Sequence, residues 1–196
     1  MSRAALLVID VQRDFCPGGA LAVKDGDEVV PAINRVVAGF DRAKLPIFFT
    51  RDWHPPDHTS FKGQGGPWPP HCVQGTGGAA FHPSLRIPTS AVVISKGDDQ
   101  SKEAYSGFQG TDLATRLRGL GIKEVFIAGL TTDYCVKETA TDARKAGFAV
   151  KVIGDCIKAV DAKPGDGVRA ILKMKKEGAR LVDSSSVIRL LASTQQ

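Results

Sequence analysis

The 196 residues carry 26 Lys and Arg against 21 Asp and Glu, a formal net charge of +5, and are 42% hydrophobic and 24% charged. That apolar share suffices for a core and excludes a disordered chain, whose composition cannot offset the entropy of ordering. No apolar run approaches the ~20 residues that span a bilayer, and the apolar stretch 4–9 is too short for a signal peptide and runs straight into Asp10. A soluble, cytoplasmic protein with a single domain over residues 1–196 is therefore expected, with no membrane partner.

In chain order, the first β-branched apolar run is 4–9. Val29, Val30, Ile33, Val36, Val37 and Phe40 then fall at helical spacing behind a cap at Asp27. The second run, 46–50, leads into 53–88, which is rich in Pro, Gly and His and has no periodicity. A loop of that length inside a compact domain usually carries function. The third run is 91–95. Leu113, Leu117 and Leu120 predict a helix after Thr111, and the fourth run is 124–130. Val136, Ala140 and Ala143 predict a helix that starts at Thr132-Asp133 and stops at Gly147. The fifth run, 149–153, precedes a helix through Val168, Ile171 and Leu172 ended by Gly178, and the last run is 180–182. Continuously apolar strands alternating with helices predict an α/β fold: a doubly wound, mostly parallel sheet with helices on both faces. The densest basic patch, Arg169, Lys173, Lys175, Lys176 and Arg180, lacks interleaved aromatics. It reads as a solvated helix face, so no nucleic-acid partner is expected.

Ligands in open α/β sheets bind beyond the carboxyl ends of the strands. The first run ends in Asp10, the second in Arg51-Asp52-Trp53-His54, the third in Lys96, and the fourth in Thr131-Thr132-Asp133-Tyr134-Cys135. Cys135 falls in the first turn of a predicted helix, where free N–H groups and the helix dipole favour a thiolate. Lys96 would lower its pKa further, and Asp10 could exchange the thiol proton with a leaving group. Cys16, Cys72 and Cys156 have no such setting. The four cysteines form no Cys-x-x-Cys pair, which removes the zinc-ribbon and thioredoxin readings.

Asp52 and His54 are two apart in an extended segment and so share a side, and His71 returns from the Pro/Gly-rich loop as a third ligand. Such a nitrogen and oxygen set leaves coordination positions open, as catalytic metals require. It suits zinc, iron or manganese without choosing among them; His58 is a candidate fourth ligand and His82 a weaker one. The same set would also serve a non-haem iron oxygenase, which would leave Cys135, Lys96 and Asp10 without tasks. Phe15, Trp68 and Tyr105 flank these groups as flat apolar walls for a flat aromatic substrate.

These segments resemble the nicotinamidase/pyrazinamidase group of the isochorismatase-like cysteine hydrolases. The likeness rests on Asp10-Val11-Gln12-Arg13-Asp14-Phe15 with Pro17-Gly18-Gly19-Ala20-Leu21, on Thr50-Arg51-Asp52-Trp53-His54-Pro55 with His58-Thr59-Ser60-Phe61, and on Trp68-Pro69-Pro70-His71-Cys72-Val73-Gln74-Gly75-Thr76. Lys96-Gly97, Tyr105-Ser106-Gly107-Phe108 and Gly129-Leu130-Thr131-Thr132-Asp133-Tyr134-Cys135-Val136 complete it, over roughly residues 5–185. The resemblance implies hydrolysis of nicotinamide to nicotinate and ammonia in NAD salvage, with pyrazinamide as a further substrate. It implies Cys135 as nucleophile, Asp10 as acid and base, Lys96 as third triad member, and Asp52, His54 and His71 on one divalent ion, commonly zinc or iron. Phe15, Trp68 and Tyr105 would line the ring pocket. The N–H groups of Thr131 and Cys135 would hold the oxyanion, with a cis peptide between Leu130 and Thr131. The sequence departs from the group in carrying Thr131 where a smaller residue is common. Another small-amide hydrolase of the superfamily is the alternative reading, and self-association into a homo-oligomer stays open.

Overall fold

The computed structural model describes residues 4–193. Strand β1 (Ala4–Ile9) is buried along its whole length, with Leu6 and Val8 facing one apolar cluster and Ala5, Leu7 and Ile9 the other. A strand buried on both faces needs helices above and below it. The other strands are β2 (Ile47–Asp52), β3 (Val92–Lys96), β4 (Glu124–Leu130), β5 (Ala149–Lys158) and β6 (Arg180–Val182). They form one sheet in the order β3-β2-β1-β4-β5-β6, and every pairing is parallel. Helices α1 (Val30–Arg42) and α5 (Ser184–Ser193) bury Ile33, Phe40 and Leu191 on one face. Helices α2 (Leu113–Gly119), α3 (Lys137–Lys145) and α4 (Asp166–Lys176) bury Leu113, Leu117, Ala140 and Met174 on the other. The result is a doubly wound α/β domain. Among the described residues, no helix is long and apolar enough to cross a membrane.

The strand order reverses between β1 and β4, which opens a crevice at their carboxyl ends. The two strands approach closely there: Ile9 pairs with Gly129, and a Cβ on Gly129 would lie 2.0 Å from the Ile9 carbonyl oxygen. Two crossovers away, Asp52 at the end of β2 is the register partner of Lys96 at the end of β3. The sheet itself thus brings the polar ends of β1 to β4 to one edge.

Four local expectations are corrected. Asp27 does not cap α1; it lies in the 3-10 turn Gly26–Val29, and Pro31 in the first turn of α1 starts the helix without a side-chain cap. Helix α4 is present, but Val168 and Leu172 are 62% and 59% exposed. Its inward face is Gly167, Ala170 and Met174, and Gly167 is small because a Cβ there would meet the Ala159 Cβ at 2.6 Å. Strand β5 continues past residue 153 to Lys158, through a register shift against β4. Helix α5 was not among the expected elements; Asp183 accepts from the Ser186 N–H at 2.8 Å at its start, and Val187 and Leu191 face inward one turn apart. The loop 53–88 holds only the 3-10 turn Lys62–Gln64 and isolated bridges, His54 with Val73, Phe61 with Trp68 and Phe81 with Gln12.

Candidate active site

Asp10, Lys96 and Cys135 come together at the crevice, all three buried. Lys96 Nζ lies 2.9 Å from Asp10 Oδ2 and 3.6 Å from Cys135 Sγ, donates to the Ala104 carbonyl at 3.1 Å, and forms a short hydrogen bond with Asp52 Oδ1. Thr50 Oγ1 donates to Asp10 Oδ1 at 2.6 Å. Cys135 sits in a π turn, Thr132–Val136, that leads from β4 into α3. Such turns recur at functional sites because they displace one residue from regular helical register.

The surroundings of Cys135 do not all favour the thiolate. Burial pushes the Cys135 thiol well above its ordinary range, and the neighbouring carboxylates of Asp10 and Asp52 add to this; Lys96 only partly opposes them. Burial also raises the Asp10 carboxyl, with Asp52 adding to it and Lys96 and Thr50 opposing. At Asp52 burial is outweighed by Lys96 and His54, which hold its carboxyl below the usual carboxylate range.

Asp52, His54 and His71 form a second group, each offering a ligand atom within 4.8 Å of the others. His54 Nδ1–H donates to the Gly97 carbonyl at 2.9 Å and His71 Nδ1–H to the Pro69 carbonyl at 2.8 Å. Both rings are thereby fixed with Nε2 free, as a metal ligand needs. His54 Nε2 lies 3.7 Å from Asp52 Oδ2. Burial lowers the His71 pKa, whereas at His54 the Asp52 carboxylate outweighs burial and raises it. That pull on a proton is the same pull a cation would feel. Two imidazoles and a carboxylate, oriented by outer hydrogen bonds, fit a divalent ion. His58 is not part of the group. Its Nδ1 accepts from Ser60 Oγ at 2.7 Å and its Nε2–H donates to the Lys102 carbonyl at 3.1 Å, so both nitrogens are engaged while the ring packs 4.2 Å from that of His54. His82 also lies elsewhere, its Nδ1 accepting from the Ser84 N–H.

Cys135 and the Asp52, His54 and His71 group border one cavity, walled by Phe15, Trp68, Tyr105 and Tyr134 and reaching Thr131. Trp68 Nε1 donates to the Tyr105 hydroxyl at 2.9 Å, which fixes two of these rings. The peptide between Leu130 and Thr131 is cis, as the resemblance implied.

The isochorismatase domain family matches residues 4–186. The chain belongs to the isochorismatase family. Within it, the nicotinamidase of Escherichia coli (strain K12) is 39% identical over 202 residues, covering 92% of this chain and 95% of that one. The pyrazinamidase of Pyrococcus horikoshii in complex with zinc is 50% identical, with a TM-score of 0.89 over 92% of this chain and 99% of that one. An L. infantum protein in complex with nicotinate is 38% identical, with a TM-score of 0.85 over 94% of each chain. This isochorismatase-family chain thus stands in the nicotinamidase/pyrazinamidase group.

Several residues of the site were missed in the sequence because they support rather than react. Gln12 clamps the end of β2: its Oε1 accepts from the Asp52 N–H at 2.8 Å, and its Nε2 donates to the Asp52 and Ala79 carbonyls at 2.8 and 2.9 Å. Phe61 sets its edge or face against His54, His58 and His71, with ring centroids 5.6, 5.8 and 5.6 Å away. Asp133 accepts from the Val160 and Asp161 N–H groups at 3.0 and 2.9 Å, and so holds Val160 at the cavity wall. The signal available for Gln12 was its place two residues after Asp10. Thr50 likewise stood at the end of a run already recognised as a strand.

Proposed function

We propose that this protein hydrolyses nicotinamide to nicotinate and ammonia through a thioester at Cys135. The observation that carries the reading is one cavity bordered by Cys135, behind which Asp10 and Lys96 are buried, and by a metal-competent Asp/His/His group. Cys135 attacks the carboxamide carbon as its proton passes to Asp10, forming the S–C bond and an oxyanion held by the N–H groups of Thr131 and Cys135. Asp10 then gives that proton to the departing nitrogen, which leaves as ammonia. A water, deprotonated by Asp10, cleaves the thioester, and the proton returns to sulfur. Lys96 keeps Asp10 positioned and balances its charge throughout. Asp52, His54 and His71 would hold a divalent ion, zinc or iron, with manganese as the further option, whose open position would bind the pyridine nitrogen and orient the ring. Phe15, Trp68 and Tyr105 sandwich and edge that ring. Pyrazinamide carries a nitrogen at the same ring position and is a second substrate. A cytoplasmic setting in NAD salvage suits the four free, buried thiols.

The test is ammonia release from nicotinamide, pyrazinamide and benzamide by purified protein, with elemental analysis and with chelator added. Turnover of the first two, lost on chelation and restored by divalent ion, is expected, while benzamide, lacking the ring nitrogen, should react poorly. Equal turnover of benzamide would remove the ring-nitrogen contact and favour a different small amide as substrate.

A further inference from the structure

Among the described residues, two buried side-chain polar atoms have no hydrogen-bond partner: Asp10 Oδ2 and Thr131 Oγ1. Such atoms are rare in folded proteins, and each asks for an explanation. Asp10 Oδ2 has one, since it lies 2.9 Å from the Lys96 ammonium. Thr131 Oγ1 does not.

Its position makes the vacancy more telling. Thr131 is the N-cap residue of the turn that carries Cys135, a place where a threonine hydroxyl ordinarily accepts from an N–H of the first turn. Here the side chain makes no capping bond. The backbone does the local work instead: the Thr131 carbonyl accepts from the Tyr134 and Val136 N–H groups at 3.2 and 3.0 Å. The residue is 4% exposed, yet it borders the cavity together with Cys135. A hydroxyl that is sealed from bulk water, unused by its own helix and next to the nucleophile is available to a molecule bound in the cavity.

We propose that the Thr131 hydroxyl donates a hydrogen bond to the carboxamide oxygen of the bound substrate and holds it more tightly as that oxygen becomes an oxyanion. Thr131 is then a catalytic residue through its side chain, in addition to its backbone N–H. The proposal rests on the amidase reading above. An interaction stronger in the transition state than in the ground state lowers kcat and leaves KM nearly unchanged when removed.

The experiment compares wild type with Thr131→Val, which keeps the shape and removes the hydroxyl, and Thr131→Ser, which keeps the hydroxyl. Thr131→Val should lower kcat for nicotinamide by about tenfold or more, the size of one hydrogen bond to a charged group, with KM within about twofold, and Thr131→Ser should recover most of the loss. Pyridine-3-carbaldehyde supplies a second readout. Its carbonyl adds the Cys135 thiol, forming the S–C bond while the thiol proton ends on oxygen, and so mimics the tetrahedral state. Its inhibition constant should weaken in Thr131→Val in step with kcat, while the affinity for nicotinate, which forms no such adduct, stays close to wild type. The melting temperature of ligand-free Thr131→Val should equal or exceed that of wild type, because an unpaired buried polar atom has been removed. Full activity in Thr131→Val, or a lower kcat with unchanged aldehyde inhibition, or a loss of activity that tracks a loss of stability, overturns the role of the hydroxyl. Failure of wild type itself to release ammonia from nicotinamide overturns the amidase reading instead, so the two failures are distinguishable.

Discussion

Replacing Asp10 by Asn separates catalysis from stability in a way the structure makes quantitative. The side chain is fully buried, bonded through Oδ1 to Thr50 at 2.6 Å and paired through Oδ2 with Lys96 at 2.9 Å. Asn keeps the volume and the Thr50 contact but cannot take a proton. Loss of a general base lowers rates by ~10²–10⁴-fold, so kcat/KM for nicotinamide should fall at least that far. Stability should move the other way. Burial raises the Asp10 pKa above the ordinary 3.8 despite Lys96, so its ionisation opposes folding. A group with a raised folded-state pKa contributes stability that is fully present below the unfolded value and lost as pH rises through the folded one. Asp10→Asn deletes that dependence. Its melting temperature at neutral pH should match or exceed that of wild type, and the advantage should grow as pH rises through the raised value. The same shift puts the acid limb of the wild-type pH–rate profile above the usual carboxylate range. Ammonia release from pH 4 to 9 and calorimetry over the same range test both halves. Activity within tenfold of wild type, an unchanged acid limb in the variant, or a melting temperature many degrees lower would refute Asp10 as the base.

Lys96→Met leaves Asp10 and Asp52 buried without their cation. Uncompensated buried charge costs about 3–5 kcal/mol, so the melting temperature should drop by roughly 10 °C for a domain of this size, the opposite of Asp10→Asn. In Gly97→Ala the new Cβ would lie 2.5 Å from His54 Cε1, at a backbone φ of 64° that already disfavours alanine. Because Gly97 also accepts the His54 Nδ1–H, elemental analysis should find the metal content well below that of wild type. Cys135→Ala should abolish ammonia release while nicotinate binding, followed by titration calorimetry, persists.

What the sequence disclosed follows from the sheet. In a parallel sheet every strand delivers its last residue to the same edge, so Asp10, Asp52, Lys96 and Cys135 could be read as neighbours from four strand ends. The β2–β3 register that sets Asp52 opposite Lys96 lay beyond that reading, because register is fixed by the packing of both faces. Helix α4 shows a second limit: its buried face is made of Gly167 and Ala170 as much as Met174, and close approach of small residues leaves no apolar stripe to count. The opposing pull on the Cys135 thiol was hidden for a related reason. Residue types announced a cation and a helix start, but depth of burial, which raises the thiol pKa, is a property of the finished fold.

Lys96 then explains how one ammonium serves both halves of the site. It has three protons. Their acceptors, by geometry, are Asp52 Oδ1, the Ala104 carbonyl and Cys135 Sγ. Asp10 Oδ2, 2.9 Å from Nζ, is a further charged partner of the same ammonium. The ammonium thus stabilises the Asp10 charge beside the Cys135 thiol. Without that cation, burial alone would disfavour the charged carboxylate. The bond to Asp52 meanwhile engages Oδ1, while Oδ2 lies 3.7 Å from His54 Nε2. One ammonium therefore touches the base, the thiol and a ligand carboxylate, so the thiol and the proposed metal group are joined through Lys96 and are not independent.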